Sequence, residues 1–151
     1  MSTFENLIVG LAREAGIILS GTIESPVEFR YDGLPVVISE DLRSGVSEVI
    51  VHAQLGEVPR EHELEVYRIL LEANVLWSAT ADATLGVNSD TRQVIICYRM
   101  PLAGLEPESF AAVIRFFVDV ARKWADFIEA ARTEGHVQYP ADIAGETLIR
   151  I

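Results

Sequence analysis

The spacing of apolar residues at the N-terminal end of the chain predicts a helix. Apolar side chains recur every three or four residues from Phe4 to Ala15, so they fall on one side of a helix. Ser2 and Glu5 have the spacing of a capping box, in which each side chain bonds to the other residue's backbone at a helix start. Gly16 is typical of a helix end. The stripe either packs only against a sheet or leaves part of its surface for a partner.

Three strands are predicted next, because apolar and polar residues then alternate. The alternation covers residues 27–31 and 48–55, and residues 34–39 are predicted as the hairpin partner of the first run. Asp32-Gly33 between the first two runs predicts a two-residue type I′ hairpin turn. Pro26 precedes the first run, and a proline there is typical of a strand at the edge of a sheet.

The predicted second helix, over residues 61–76, carries two apolar stripes. One stripe comprises Leu64, Tyr67, Leu71 and Val75. The other comprises Val66, Ile69, Leu70, Ala73 and Trp77. A helix that is apolar on two sides needs cover on two sides, and in a short chain the second cover can be another copy of the chain. The alternative is a helix buried wholly within one subunit.

We therefore predict a homodimer with two-fold symmetry, built around the second helix. The second of the two stripes is expected to lie near the two-fold axis, with one residue of the following strand beside it. The predicted dimer-interface residues are Val66, Ile69, Leu70, Ala73, Trp77 and Leu85.

The rest of the chain predicts a second hairpin and a third helix. Alternation resumes over residues 84–98 on both sides of a polar turn, and Pro101 ends the second strand because proline cannot donate to the ladder. Pro107 in a first turn, followed by a broad apolar arc, predicts a helix that extends to residue 131. Residues 132–151 are a mixed C-terminal tail that we expect to be loosely held.

Together these elements predict a single α+β domain over residues 1–131. Their order is helix, three strands, helix, two strands, helix, and the predicted five-stranded sheet is mainly antiparallel. The loops are too short for several parallel crossovers, since each of those needs about a dozen residues or more.

Composition restricts the possible partners and the compartment. Of 151 residues, 23 are acidic and 12 are lysine or arginine, for a net charge of −11. Nucleic acid is not a predicted partner, because phosphate binding needs clustered basic residues. A single cysteine favours a reducing compartment, and neither a signal peptide nor a membrane-spanning run is recognisable. We expect a cytoplasmic protein that does not insert into membranes.

The residues predict no catalytic, cofactor or metal site. His52, His62 and His136 fall on separate predicted segments, whereas the helical zinc motif needs two histidines four positions apart. Cys97 lies in an apolar run, where an inert thiol is expected. Glycine-rich phosphate loops are absent from the sequence. The predicted class is a binding protein, and the alternative is an enzyme with an unrecognised site.

Residues 70–102 carry a resemblance to a known family. Their sequence is LLEANVLWSATADATLGVNSDTRQVIICYRMPL. Leu-Leu-Glu-Ala-Asn ends a helix and Thr-Leu-Gly lies in a strand; after a polar turn, an apolar strand leads to Arg99, Pro101 and Leu102. This order resembles the central signature of the type III secretion chaperones of the Tir-chaperone (CesT-like) family. With the other elements, the resemblance extends over residues 3–131.

The resemblance implies a function in bacterial protein secretion. Members are small acidic cytosolic homodimers that bind the N-terminal region of a secreted effector and hold it extended, without hydrolysing ATP themselves. The secretion apparatus is a further implied partner. The alternative is a regulatory binding module of the same fold that sequesters a regulator of secretion.

The predicted client groove is assigned by elimination to the first helix and the first hairpin. The second helix is used by the dimer, and the third is needed to cover the sheet. An extended client could add a strand at the edge that Pro26 indicates. The predicted contact residues are Leu7, Leu11, Val27, Phe29, Val36 and Ile38. The alternative is that these six residues only fill the core.

Overall fold

Over the part of the chain that the structure describes, three helices and five strands follow one another in the predicted order. The computed structural model describes residues 1–135, 137, 138 and 140. Its helices and strands are α1 (Thr3–Glu14), β1 (Val27–Tyr31), β2 (Leu34–Asp41), β3 (Glu48–Glu57), α2 (Glu63–Ala73), β4 (Thr84–Val87), β5 (Gln93–Pro101) and α3 (Pro107–Thr133).

The five strands form one sheet in the order β1-β2-β3-β5-β4. Every neighbouring pair is antiparallel, which confirms the predicted α+β class. β1 and β4 are the two edge strands, and the edge position of β1 is the one that Pro26 indicates. β5 lies between β3 and β4, since the chain passes through α2 to the far edge before it returns.

One face of the sheet forms the core. Val49, Val51 and Ala53 of β3, whose alternation predicts a buried face, are all 0–1% exposed. Val37 and His52 lie opposite each other on the other face of the sheet, where their side chains are half-buried. The alternation in the sequence therefore identifies the buried face correctly.

The helices that cover the core face approach their neighbours closely at two glycines. α3 packs against β3, and a Cβ on Gly56 would lie 3.0 Å from the Cγ2 atom of Ile128. α1 packs against α3, and a Cβ on Gly10 would lie 2.5 Å from the Cβ atom of Pro107. These contacts place α1 and α3 on the same side of the sheet, so they share one core with it.

Two local predictions about turns and caps are confirmed. Asp32 and Gly33 have φ values of 47° and 87°, the positive values that a type I′ turn requires at both central positions. Ser2 and Glu5 form the capping box at the start of α1, with each side chain bonded to the other's backbone N–H.

The ends of the second and third helices differ from the predicted ones. α2 ends at Ala73 instead of residue 76, because Leu76 and Trp77 both have a φ of 53°, which is incompatible with a right-handed helix. α3 extends to Thr133, past the predicted end at residue 131. Most of the predicted tail, residues 132–151, lies outside the described residues.

Candidate protein-interaction site

The stripe of α2 that was expected at a two-fold axis faces the core of its own chain. Five of the six predicted interface residues are 0–4% exposed. They are Val66, Ile69, Leu70, Ala73 and Leu85. Trp77, in the turn after α2, is 53% exposed. The role of these residues in a dimer stays a prediction, and in the single chain five of them have almost no surface left for a second copy.

The other stripe of α2 faces solvent except at Tyr67, which is half-buried against the core. Leu64 is 83% exposed and Leu71 is 69% exposed, and their spacing of seven residues places them on one side of the helix. Val75, two residues after the end of α2, is 59% exposed. The turn that follows continues this surface, with Leu76 at 63% and Trp77 at 53%. We call these five residues the α2 apolar face. A row of large exposed apolar side chains on a small protein is typical of a surface that another protein covers.

The turn after α2 is held in place from two sides. The left-handed backbone at Leu76 and Trp77 costs a residue other than glycine about 1–2 kcal/mol. The Nε1–H group of Trp124 donates to the carbonyl oxygen of Ala79 at 3.0 Å inside the core. The side chain of Asn74 bonds to the backbone of β4. These contacts hold Leu76 and Trp77 outward in a defined conformation.

The N-terminal end of α2 is fixed by an arginine of the β4–β5 turn. Arg92 donates from Nη1 to Glu63 Oε1 and from Nη2 to the carbonyl oxygen of Val58, each at 2.9 Å. The Tyr67 hydroxyl donates to the same Glu63 oxygen at 2.8 Å. Hydrogen bonds from Tyr67 and then Arg92 lower the pKa of Glu63, and the bond to Glu63 raises the pKa of Tyr67. The α2 apolar face therefore lies on a helix and its following turn, which are anchored at both ends.

The residues predicted to contact a client lie in the core or against it. The five that are 0–3% exposed are Leu7, Leu11, Phe29, Val36 and Ile38. Val27 is half-buried and packs against the same core. Their part in client binding stays a prediction, and the single chain shows them filling its core.

The edge of β1 has backbone groups that no neighbouring strand uses. Pro35 lies opposite Arg30, and proline has no N–H to donate, so this pair is of the non-hydrogen-bonded type. The two types of pair alternate along an antiparallel ladder, so Glu28 and Val37 form another pair of that type. The N–H and C=O groups of Glu28 and Arg30 therefore point away from β2, towards the open edge.

An exposed apolar loop, residues 17–19, lies between α1 and β1. Its central residue, Ile18, is 94% exposed. The loop begins near the end of α1, where Glu14 pairs with Arg115 of α3. The pKa of Tyr31, at the end of β1, is raised to about 12, mainly by burial and secondly by the negative charge of Glu14. The hydrophobic spacing does not predict this loop, and its signal in the sequence is three successive apolar residues that fit neither helical nor strand spacing.

Cys97 lies on the half-buried face of the sheet, directly opposite His52 of β3. Burial raises the pKa of its thiol, and its Sγ atom lies 3.7 Å from the carbonyl oxygen of Thr84. Among the described residues, no group of three or more histidine, cysteine, aspartate or glutamate side chains could hold a metal ion.

Family membership is decided by a match over most of the chain. The family described as Tir chaperone protein (CesT) matches residues 6–125, from α1 into α3. The chain belongs to this family. The resemblance seen in residues 70–102 is thereby confirmed. Tir chaperone proteins are a chaperone family and not an enzyme family. No curated protein sequence matches the chain.

Several solved structures share the fold of this Tir chaperone family member. The ExsC–ExsE complex is similar with a TM-score of 0.66 at 20% identity, covering 83% of this chain and 92% of that one. The HopA1–SchA chaperone–effector complex has a TM-score of 0.64 at 12% identity, and the match covers 82% of this chain and 94% of that one. The ExoU–SpcU complex of the Pseudomonas aeruginosa type III secretion system has a TM-score of 0.61 at 16% identity, and the match covers 83% of this chain and 97% of that one. At these identities the likeness concerns the fold.

Within the described residues, no helix of this family member has the length and apolar character needed to cross a membrane.

Proposed function

We propose that this protein is a type III secretion chaperone that binds the N-terminal region of a cognate effector as a homodimer in the bacterial cytoplasm. It keeps that region extended and competent for secretion. The match to the Tir chaperone protein family carries the proposal. Support for binding comes from two exposed apolar surfaces on a chain whose core is already filled. The protein acts by binding, without catalysis, a cofactor or a metal ion.

The α2 apolar face is the proposed dimer interface. An isologous two-fold dimer places one patch against the same patch of the second copy, so each apolar residue contributes twice. Leu64 and Leu71 are the most exposed members of this face, at 83% and 69%, and burying them removes the largest area from water. Both helix ends are anchored, so little additional ordering is needed when two copies meet.

The edge of β1 and the apolar loop are the proposed client surface. An extended client segment would bond to the outward backbone groups of Glu28 and Arg30 as an added strand. Its apolar side chains would contact residues 17–19. The net charge of −11 favours a client segment with basic residues, since opposite charge speeds association.

The alternative function is a binding module that sequesters a regulator. One observation keeps it in view: YbjN of E. coli, for which transcription regulation has been suggested, shares the fold with a TM-score of 0.55 at 17% identity. One fold can serve several functions, so the captured partner must distinguish them. A secreted protein bound through its N-terminal segment supports the chaperone, and a regulator that is not secreted supports the alternative.

The proposal is tested by isolating the tagged protein with its partner from the native host and mapping the protected segment by limited proteolysis. Client affinity is then measured for Arg30→Pro, which removes one outward donor at the β1 edge and leaves the β1–β2 ladder intact. We expect affinity to fall by about tenfold, because a hydrogen bond is lost and the ring obstructs the added strand.

The matched control is Val87→Pro, which places the same ring on the β4 edge. We expect this variant to keep the client affinity of the wild type. Equal affinity for Arg30→Pro and the wild type would show that the client does not add at β1. A partner that is not secreted would contradict the chaperone function itself.

A further inference from the structure

The two edges of the sheet differ in whether their outward backbone N–H and C=O groups are already hydrogen-bonded. At the β4 edge, the Nδ2 group of Asn74 donates to the carbonyl oxygen of Leu85 at 2.9 Å. The N–H group of Leu85 donates to Oδ1 of Asn74, also at 2.9 Å. One side-chain amide thus takes both positions that the peptide group of a further strand would occupy.

The length of β4 makes this contact decisive. Because both groups of Leu85 bond outside the sheet, its pair with β5 is non-hydrogen-bonded, and Thr84 and Gly86 use their groups for β5. Over Thr84–Val87, the outward groups are therefore those of Leu85 and Val87. Because Asn74 occupies both backbone groups of Leu85, only those of Val87 remain for an added strand. One residue cannot hold such a strand in register.

The β1 edge has no such cover. Its outward groups belong to Glu28 and Arg30, two positions on the same side of the strand. In the part of the chain that the structure describes, no hydrogen bond from a side chain or another segment reaches these groups. The side chains of Glu28 and Arg30 pair with each other at 3.3 Å and are exposed, so they leave the edge accessible.

We propose that Asn74 closes the β4 edge, so that an extended segment can add to the sheet only at β1. Asn74 is a positioning residue in this account, because it acts on where a client binds and does not touch the client. Its location suits this role, since it caps α2 with φ −76° and ψ −14° and the helix therefore fixes the direction of the amide. The closure of the β4 edge follows from these contacts alone, whereas the statement that a client adds at β1 rests on the proposed function.

An asparagine fits this position for a chemical reason. Its amide offers one donor and one acceptor in a plane, as a peptide group does. Aspartate would accept from the Leu85 N–H but could not donate to the Leu85 carbonyl. Alanine would leave both groups free, and an edge with free groups tends to pair with another edge.

The test is self-association, which requires no client. Sedimentation velocity over a range of concentrations compares the wild type with Asn74→Ala, and circular dichroism checks that both are folded. We expect Asn74→Ala to form assemblies larger than those of the wild type at a concentration about tenfold lower. Asn6→Ala is the matched control, because it removes an exposed asparagine side chain from α1 and should leave assembly unchanged.

A double variant separates edge closure from a merely structural role. Asn74→Ala with Val87→Pro places a ring on the reopened edge, and we expect it to return to the wild-type size. If the double variant associates as Asn74→Ala does, or if Asn74→Ala keeps the wild-type size, the proposal is wrong. Should Asn74→Ala fail to fold, Asn74→Ser carries the same comparison, because its single short hydroxyl cannot take both Leu85 positions, and the same two outcomes count against the proposal. A wild type that binds no client overturns the proposed function and leaves this result standing.

Discussion

Two substitutions on opposite sides of α2 should separate folding from assembly. Ile69 is 4% exposed and faces the core, whereas Leu71 is 69% exposed and lies on the α2 apolar face. Replacing each by aspartate introduces the same charge on the same helix two positions apart. The difference between the two variants therefore reports the side of the helix that is changed.

Ile69→Asp should destabilise the single chain. Exposing a buried isoleucine loses about 1.5–3 kcal/mol, and a carboxylate without a partner in the core adds at least about 1–3 kcal/mol. The sum, about 3–6 kcal/mol, is a large part of the roughly 5–15 kcal/mol by which a domain is stable. For a chain of this size we expect the Tm to fall by about 10 °C or more.

Leu71→Asp should leave the chain folded and weaken the proposed dimer. A change at an exposed position alters the stability of the single chain by about 0.5 kcal/mol or less. In the proposed dimer the exposed part of Leu71 is worth about 1–2 kcal/mol in each copy, since full burial of a leucine is worth about 1.5–3 kcal/mol. Two copies lose about 2–4 kcal/mol, which raises the dimer Kd by about 30- to 1000-fold.

The assay combines thermal unfolding by circular dichroism with sedimentation equilibrium at several concentrations. We expect Ile69→Asp to lower the Tm, and Leu71→Asp to keep the Tm measured for monomeric protein while it dissociates the dimer. A Leu71→Asp protein with the wild-type dimer Kd would refute the assignment of the α2 apolar face. An unchanged Tm for Ile69→Asp would refute the reasoning about the core.

Three further predictions concern the fold that presents these surfaces. Replacing glycine by alanine in a helix normally stabilises it by about 1 kcal/mol. Gly10→Ala should instead lower the free energy of unfolding in urea by about 1–3 kcal/mol, because the new Cβ would lie 2.5 Å from the Cβ atom of Pro107. Trp124→Phe should cost about 2–4 kcal/mol in the same assay, because the carbonyl of Ala79 loses its buried donor. The pKa of Glu63 is lowered in the folded state, so its ionised carboxylate contributes to the free energy of unfolding above pH 4.5, its ordinary pKa. This contribution is lost as the pH falls below 4.5. Glu63→Gln should therefore flatten the decline of Tm with falling pH in that acid range.

The sequence predicts the sheet well because a strand has two distinct faces. Val49, Val51 and Ala53 alternate with Glu48, Ile50, His52 and Gln54, of which three are polar, and one face of the sheet is buried, so period and burial agree. The Asp32-Gly33 turn is equally predictable, since few residue pairs tolerate two positive φ values. Local chemistry determines both features.

The side of α2 that faces the core cannot be read from spacing. Both stripes of this helix are apolar, so the hydrophobic pattern predicts that two sides are covered but not which side belongs to the same chain. The contact between Asn74 and Leu85 is also invisible in the pattern, because a side chain bonds to a backbone eleven residues away. Such contacts depend on tertiary geometry, which periodicity does not report.

The strand order sets a minimum length for a client that engages both subunits of the proposed dimer. β1 and β4 are separated by four strand spacings, or about 19 Å at 4.8 Å each. α2 packs beside β4, so a dimer formed through the α2 apolar face has its β4 edges near the axis and its β1 edges far from it. The two β1 edges are then about 40 Å apart or more. An extended chain covers about 3.3 Å per residue, so a client needs about a dozen residues merely to pass from one edge to the other. A client that binds both edges must therefore be longer than the strand it adds, and a shorter peptide should bind each subunit independently.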